Sequence, residues 1–251
     1  MQTKPEAPPH VDAVEWVARE LGFVPDAQQA RVLSSGIKRG LLNCTRQWGK
    51  STVAAAKAIH TAVHEAESLT IVVSPTVRQS GELVRKAEVF AQRLGVRVKG
   101  DGANGISMVL PNGSRIIGLP GKEATIRGFS AVSLMLVDEA SRVSDDLYMA
   151  IRPMLAVSGG ALWLMSTPCG KRGFFYDEWM RNRADWQRFR VPATECPRIP
   201  ARFLEEERVT MGDRRFRQEY LCEFVENESG AFDRDLVEGA MSYEFEPLRI
   251  V

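Results

Sequence analysis

The sequence predicts an α/β fold, a mostly parallel sheet flanked by helices with a small C-terminal lid, on three observations. The stretch Cys44-Thr45-Arg46-Gln47-Trp48-Gly49-Lys50-Ser51-Thr52 follows the apolar run Leu41-Leu42-Asn43 and opens a strongly helical segment over 53–65. A second run, Val132-Ser133-Leu134-Met135-Leu136-Val137, stops abruptly in two carboxylates, Asp138-Glu139. Short β-branched runs alternate with helical stretches along most of the chain, the pattern of buried parallel strands joined by crossover helices.

Asp12 caps a first helix that Gly22 stops, and Asp26 caps a second that runs to about Lys38. The run 69–74, ending at Pro75, is a buried strand, and a helix with Arg78, Arg85, Lys86 and Arg93 follows over 76–94. A short strand is expected at 96–99. Pro111-Asn112-Gly113 joins two apolar runs as a hairpin. Beyond Asp138-Glu139 come a helix over 145–155, a buried strand from Gly160 to Met165 ending in Ser166-Thr167-Pro168, a helix over 174–181 and an outer strand over 186–191. Two charged helices, 202–211 and 213–223, complete the lid at about 195–225. The domain is expected over 1–225, with 226–251 a linker.

Composition narrows the function classes. The formal net charge is +1, so DNA binding would have to come from a local patch rather than from the molecule as a whole. No apolar run reaches the ~20 residues of a membrane span, and the polar, proline-containing start has no signal-peptide core. The four cysteines, Cys44, Cys169, Cys196 and Cys222, form no C-x-x-C pair and read as free thiols in a reducing compartment.

Chemistry concentrates at the two punctuated strands. A strand, a tight loop with Gly-Lys-Ser, and a helix form a phosphate cradle: backbone N–H groups of 45–52 face the phosphates, Lys50 reaches the β- and γ-oxygens, and the Ser51 hydroxyl ligates Mg²⁺. The usual G-x-x-x-x-G-K-[ST] pattern has Gly where this chain has Cys44, so one permissive position is missing. Carboxylates at the C-terminal edge of a strand lie where open α/β sheets place ligands. Asp138 is therefore read as a Mg²⁺ ligand and Glu139 as the residue that activates water, against the plainer reading of a solvated turn. The strand 69–74 is taken to lie between the loop strand and the Asp-Glu strand. With Glu139 beside Asp138, this is the layout of P-loop NTPases of the ASCE type.

Finer motifs resemble the ATPase domain of the large terminase subunit, the DNA-packaging motor of tailed bacteriophages. The loop Thr45-Arg46-Gln47-Trp48-Gly49-Lys50-Ser51-Thr52 is similar to that family's deviant phosphate loop, in which Cys44 is tolerated. Pro25-Asp26-Ala27-Gln28-Gln29 resembles its adenine motif, which makes Gln29 the residue expected to read the base. Ser74-Pro75-Thr76 with Gln79, Ile126-Arg127-Gly128, and Leu136-Val137-Asp138-Glu139-Ala140 fall where the family places them. Ser166-Thr167-Pro168 with Gly170, Phe175 and Tyr176 resembles its coupling motif, and Phe216 to Phe224 the segment closing its ATPase domain. The resemblance covers roughly residues 20 to 235. It implies an ATP- and Mg²⁺-dependent motor that moves double-stranded DNA without sequence preference, in a ring on a portal protein, with a small terminase subunit, in the host cytoplasm. The residues after Val225 are too few for the nuclease fold that normally follows, so no nuclease activity is expected.

Within this reading an arginine at the γ-phosphate is worth ~10³–10⁵ in rate. Arg46 could act in cis from the loop; Arg127, just before the Asp-Glu strand, could act in trans in a ring. Thr167 is the candidate that couples the γ-phosphate to the lid. Trp48 is expected to be partly exposed, and His60 with His64, four apart, to be a packed or surface pair rather than a metal site. A helicase-like translocase and a non-hydrolysing ATP-binding regulatory module are the competing functions; Glu139 argues against the second.

Overall fold

The computed structural model describes residues 12–120, 128–181 and 184–226. Seven strands form one sheet: β1 (Arg39–Cys44), β2 (Leu69–Ser74), β3 (Ser107–Val109), β4 (Arg115–Pro120), β5 (Leu134–Asp138), β6 (Ala161–Ser166) and β7 (Gln187–Val191). Their order across the sheet is β3-β4-β2-β5-β6-β1-β7, and every pairing is parallel except the β3–β4 hairpin. The helices are α1 (Ala13–Glu20), α2 (Ala27–Ser34), α3 (Lys50–His64), α4 (Val77–Arg93), α5 (Asp145–Ile151), α6 (Gly173–Met180), α7 (Ala201–Met211) and α8 (Asp213–Glu219).

The two faces of the sheet carry separate cores, as the period-two alternation of a strand requires. Leu134 and Leu136 of β5, Leu42 of β1 and Trp163 of β6 face α1 to α4. Met135 and Val137, Leu41, and Leu162 and Leu164 face α5 and α6. Burial on both faces explains why these strands read as continuous apolar runs. The layers are tight: a Cβ on Gly40 would lie 2.5 Å from the Trp163 ring on the neighbouring strand.

Four expectations about elements need correction. The strand lying between the loop strand and the Asp-Glu strand is β6; β2 is on the far side of β5. Chain order misleads here, because the crossover after β2 passes outward before the chain returns. Helix α2 ends at Ser34 rather than near Lys38, since Ser35 turns extended just before Gly36. The helix over 145–155 is α5 followed by a 3-10 turn, Arg152–Leu155, where Pro153 lacks the N–H that would continue it. The strand expected at 96–99 is reduced to one bridge, Lys99 to Val109.

The lid packs on a minor core of Ala193, Leu204, Phe216 and Tyr220. The chain after α8 crosses the ends of β1 and β7. Ala193 N donates to Tyr220 O, Asn43 Nδ2 donates to Cys222 O at 2.9 Å, and Phe224 packs against Phe175, Tyr176 and Trp179. Of the expected linker 226–251, only Glu226 belongs to the described residues.

Candidate active site

Strands β1, β5 and β6 end side by side, and their C-terminal ends supply the site. The chain leaves β1 at Cys44, passes through 45–49 and enters α3 at Lys50. Cys44 is itself a strand residue paired with Val191, so the missing glycine has no conformational cost. Among the described residues of the loop, positive φ falls at Gln47 (62°) and Gly49 (99°). A Cβ at Gly49 would lie 2.9 Å from the Gln29 amide, so that glycine is needed for its φ and for its space. Trp48, expected to be partly exposed, is fully buried among α1, α3 and the inner strands. It anchors the loop from below and so holds Gln47 in a conformation that costs an ordinary residue ~1–2 kcal/mol.

Gln29 acts on the loop from behind. Its side chain completes a capping box with Asp26, and its Nε2 donates to Trp48 O at 2.9 Å. Asp26 also meets Arg198 at 3.1 Å, and Arg198 donates to the same Trp48 carbonyl. The amide expected to read adenine is thus 1% exposed and committed to the loop's own backbone.

Lys50 Nζ lies 3.9 Å from Glu139 Oε1, which joins the loop to the end of β5. Burial opposes the Lys50 charge, but neighbouring charges, Glu139 and Asp138 among them, outweigh it and raise its pKa. Asp138 is 6% exposed; burial, then the Glu139 charge, push its carboxyl up to about 6 against the pull of Lys50. Glu139 takes a left-handed backbone (φ 51°), and its N–H donates to Asp138 Oδ1 at 3.1 Å. A strained turn at the end of a buried strand throws two consecutive carboxylates to one side of the sheet edge. Arg46, Gln47, Gly49, Lys50, Ser51 and Glu139, with Gln79 and Lys86 of α4 and with Arg142, line a cleft of about 430 Å³.

Arg142 and Glu219 were not anticipated. Arg142 lies three residues after Glu139 on the 3-10 turn Ala140–Arg142; its Nη1 donates to Glu139 Oε2 at 2.8 Å and to Thr167 Oγ1 at 3.4 Å. Its Nη2 lies 3.7 Å from Glu219 Oε1 at the end of α8, and Arg46 Nε meets Glu219 Oε2 at 2.6 Å. Thr45 Oγ1 donates to Glu219 O, and Gly170 N donates to Gln218 Oε1. Thr167 is buried, with its carbonyl bonded by Ser141 Oγ. The i, i+3 spacing from Glu139 was visible in the sequence; that the intervening turn aims Arg142 inward was not.

The expected residues 45–52, Asp138, Glu139 and Thr167 therefore converge. Arg127 lies outside the described residues. His60 and His64 stack at 4.2 Å and both meet Trp16 edge-on, and the described residues contain no group of three or more His, Cys, Asp or Glu placed to hold a metal.

A phosphate cradle beside a strand ending in Asp-Glu, with one strand inserted between the two, defines a P-loop NTPase of the ASCE type. Residues 41–238 match the profile of the family described as "Terminase large subunit, T4likevirus-type, N-terminal". The chain belongs to that family. It is 24% identical over 247 residues to the terminase large subunit of Thermus virus P23-45, covering 84% of this chain and 51% of that one. The terminase large subunit of Thermus phage G20c matches to the same extent, so the chain spans about half the length of the curated relatives it matches. Among solved structures, the Thermus phage P74-26 large terminase ATPase domain superposes with a TM-score of 0.73 at 24% identity, covering 83% of this chain and 97% of that one. The HK97 bacteriophage large terminase gives 0.70 at 15% identity, over 84% of this chain and 54% of that one. The large terminase of bacteriophage D6E in complex with ADP gives 0.67 at 15%, over 79% and 53%.

Proposed function

We propose that this chain is an ATP-hydrolysing motor domain that drives double-stranded viral DNA into a procapsid. The observation that carries the proposal is the meeting of Lys50, Ser51 and Glu139 at one cleft, Lys50 Nζ being 3.9 Å from Glu139, with Asp138 next to Glu139 at the end of β5. The loop N–H groups and Lys50 bind and orient the phosphates. Glu139 accepts the proton of the attacking water, and Arg46 neutralises charge that builds on the γ-phosphate. Two hard oxygen donors, Ser51 and Asp138, fit Mg²⁺, which takes few protein ligands and keeps several waters. The buried Ser74 hydroxyl, on β2 beside β5, has no partner among the described residues and adds polar capacity there. Mg²⁺ bound at these residues would supply charge neutralisation across the phosphates.

The DNA partner, contacted sequence-independently, the homo-oligomeric ring on a portal protein, the small terminase subunit and the host cytoplasm as compartment rest on family membership. In the described residues no helix is long and apolar enough to cross a membrane. The test is phosphate release by the wild type, Lys50→Ala and Glu139→Gln. Lys50→Ala is expected to lose both binding and turnover. Glu139→Gln should keep ATP binding while turnover falls at least ~100-fold. Turnover by Glu139→Gln at the wild-type rate would overturn the assignment of the water-activating residue. ATP binding without turnover by the wild type at high concentration would favour a regulatory module.

A further inference from the structure

Buried polar residues stand at or next to the C-terminal ends of four neighbouring strands: Ser74 on β2, Asp138 on β5, Ser166 on β6 and Asn43 on β1. Three of them have partners. Asn43 Nδ2 donates to Cys222 O at 2.9 Å, and Asp138 Oδ1 accepts from Glu139 N at 3.1 Å. Ser166 Oγ accepts from Ser141 N at 3.2 Å and meets Ser141 Oγ at 2.7 Å. Ser74 is 0% exposed, and its hydroxyl has no partner among the described residues. A buried hydroxyl without a partner lacks the hydrogen bonds it would make in water, so a fold that keeps one calls for a reason.

The register of the strands supplies one. β2 and β5 run parallel with Val73 beside Val137, so Ser74 lies beside Asp138, one step further along each strand. Val72 and Leu136, two residues earlier, both belong to the core under α1 to α4. Ser74 and Asp138 therefore share that face, the one covered by α3 with Lys50 at its start. Neighbouring strands are about 4.8 Å apart, which puts two short side chains on one face within hydrogen-bonding reach. We propose that Ser74 is the donor that fixes the Asp138 carboxylate in the orientation a divalent metal requires. It is a positioning residue, not a metal ligand. The proposal rests on the reading of Asp138 as a Mg²⁺ ligand in an ATPase and deepens it. A carboxylate with one oxygen on a metal presents the other to a hydroxyl donor, and loss of such a partner weakens metal binding by ~10–100-fold. Ser74 breaks no other bond in turning toward Asp138.

Thr70 serves as an internal control. It lies on the same strand and face, is 0% exposed, and its Oγ1 likewise has no partner among the described residues. It pairs with Leu134, however, four residues and about 13 Å from the end of the strand. The experiment measures Mn²⁺ binding to the chain with ADP, from the paramagnetic resonance of free Mn²⁺. ADP affinity and thermal midpoints in EDTA are measured alongside. Ser74→Ala is expected to bind Mn²⁺ about 10-fold more weakly while its metal-free affinity for ADP stays at the wild-type value. Its midpoint in EDTA should be no lower than that of the wild type, because the hydroxyl removed was unpaired. Ser74→Thr, which keeps the hydroxyl, and Thr70→Val, which removes the distant one, should both bind Mn²⁺ as the wild type does. Wild-type Mn²⁺ affinity in Ser74→Ala, or an equal loss in Thr70→Val, would overturn the proposal. Failure of Ser74→Ala to fold would overturn it as well, since the hydroxyl would then be serving the sheet. A wild-type chain that binds neither ADP nor Mn²⁺ removes the ATPase reading along with it. One that binds both, with Ser74→Ala its equal, removes this proposal alone.

Discussion

Lys57 sits within α3 on the face turned to the sheet, its Nζ 4.4 Å from the centroid of the Trp163 ring and 3.2 Å from the Ser35 carbonyl. Burial lowers its pKa from the ordinary 10.5 to about 8. Below pH 8 both the folded and the unfolded chain carry the charge, and the folded state bears the full desolvation cost. Between about 8 and 10.5 the folded chain has shed a proton that the unfolded chain still holds, so stability rises with pH in that window. The expected gain is at most ~3 kcal/mol. Urea midpoints taken from pH 7 to pH 10 should climb for the wild type and stay flat across that window for Lys57→Met. At the same scale, Lys50, Ser51, Asp138 and Glu139 were legible because each sits at a fixed offset from a strand end. Arg142 and Glu219 were not, since 77 positions separate them and only the closed sheet brings α8 over the turn after β5. Gln29, expected to read the base, instead bonds the Trp48 carbonyl of the loop. Its direction of approach, from below the loop, depends on the buried Trp48 that the sequence suggested was half out in solvent.

The elements themselves followed from periodicity, and the errors cluster where a tertiary constraint replaces a local one. The 3-10 turn at Pro153 and the early end of α2 are backbone punctuation that propensity blurs. The misplaced β2 is different in kind: strand order is decided by crossovers, and no local pattern records whether a chain steps outward or inward along a sheet. The parallel pairing of β1 with β6 makes a sharp demand on one residue. Gly40 lies opposite Trp163, and a methyl group there would enter the space of the indole, 2.5 Å from its atoms. Gly40→Ala is expected to destabilise the domain by about 1–3 kcal/mol as the ring is forced off its rotamer. Guanidinium midpoints would show this, and Trp163→Leu in the same background should recover part of the loss. A midpoint unchanged in Gly40→Ala would mean that the β1–β6 spacing is looser than described.

At the scale of the whole molecule, the question is whether one subunit holds everything hydrolysis requires. Arg46 lines the cleft in cis, and Arg127 remains the candidate to act on a neighbour. Each of Arg127→Ala and Glu139→Ala should be inactive alone, by ~10³-fold or more. If Arg127 works in trans, mixing the two restores activity at interfaces that pair an intact arginine with an intact glutamate. A mixture as silent as its components would place the arginine in cis. The same logic expects specific activity to rise steeply with protein concentration, since sites complete themselves on assembly.

The bonds that fasten residues 220–224 across the ends of β1 and β7 set a limit on how the polypeptide can be divided. Helices α7 and α8 look like an appendage that could be trimmed to leave a minimal nucleotide-binding unit. Removing everything after Met211, however, would strip Asn43 Nδ2 of its acceptor, take the capping bond from Ala193 N and uncover Phe175 and Trp179 beneath Phe224. Asn43 is 0% exposed, so the lost bond alone costs ~1–3 kcal/mol. A chain ending at 211 is expected to aggregate or melt well below one ending at 226, measured by thermal unfolding of the two. The segment that seals the ends of β1 and β7 is joined directly to α8, so the lid cannot be cut away without opening the sheet it closes.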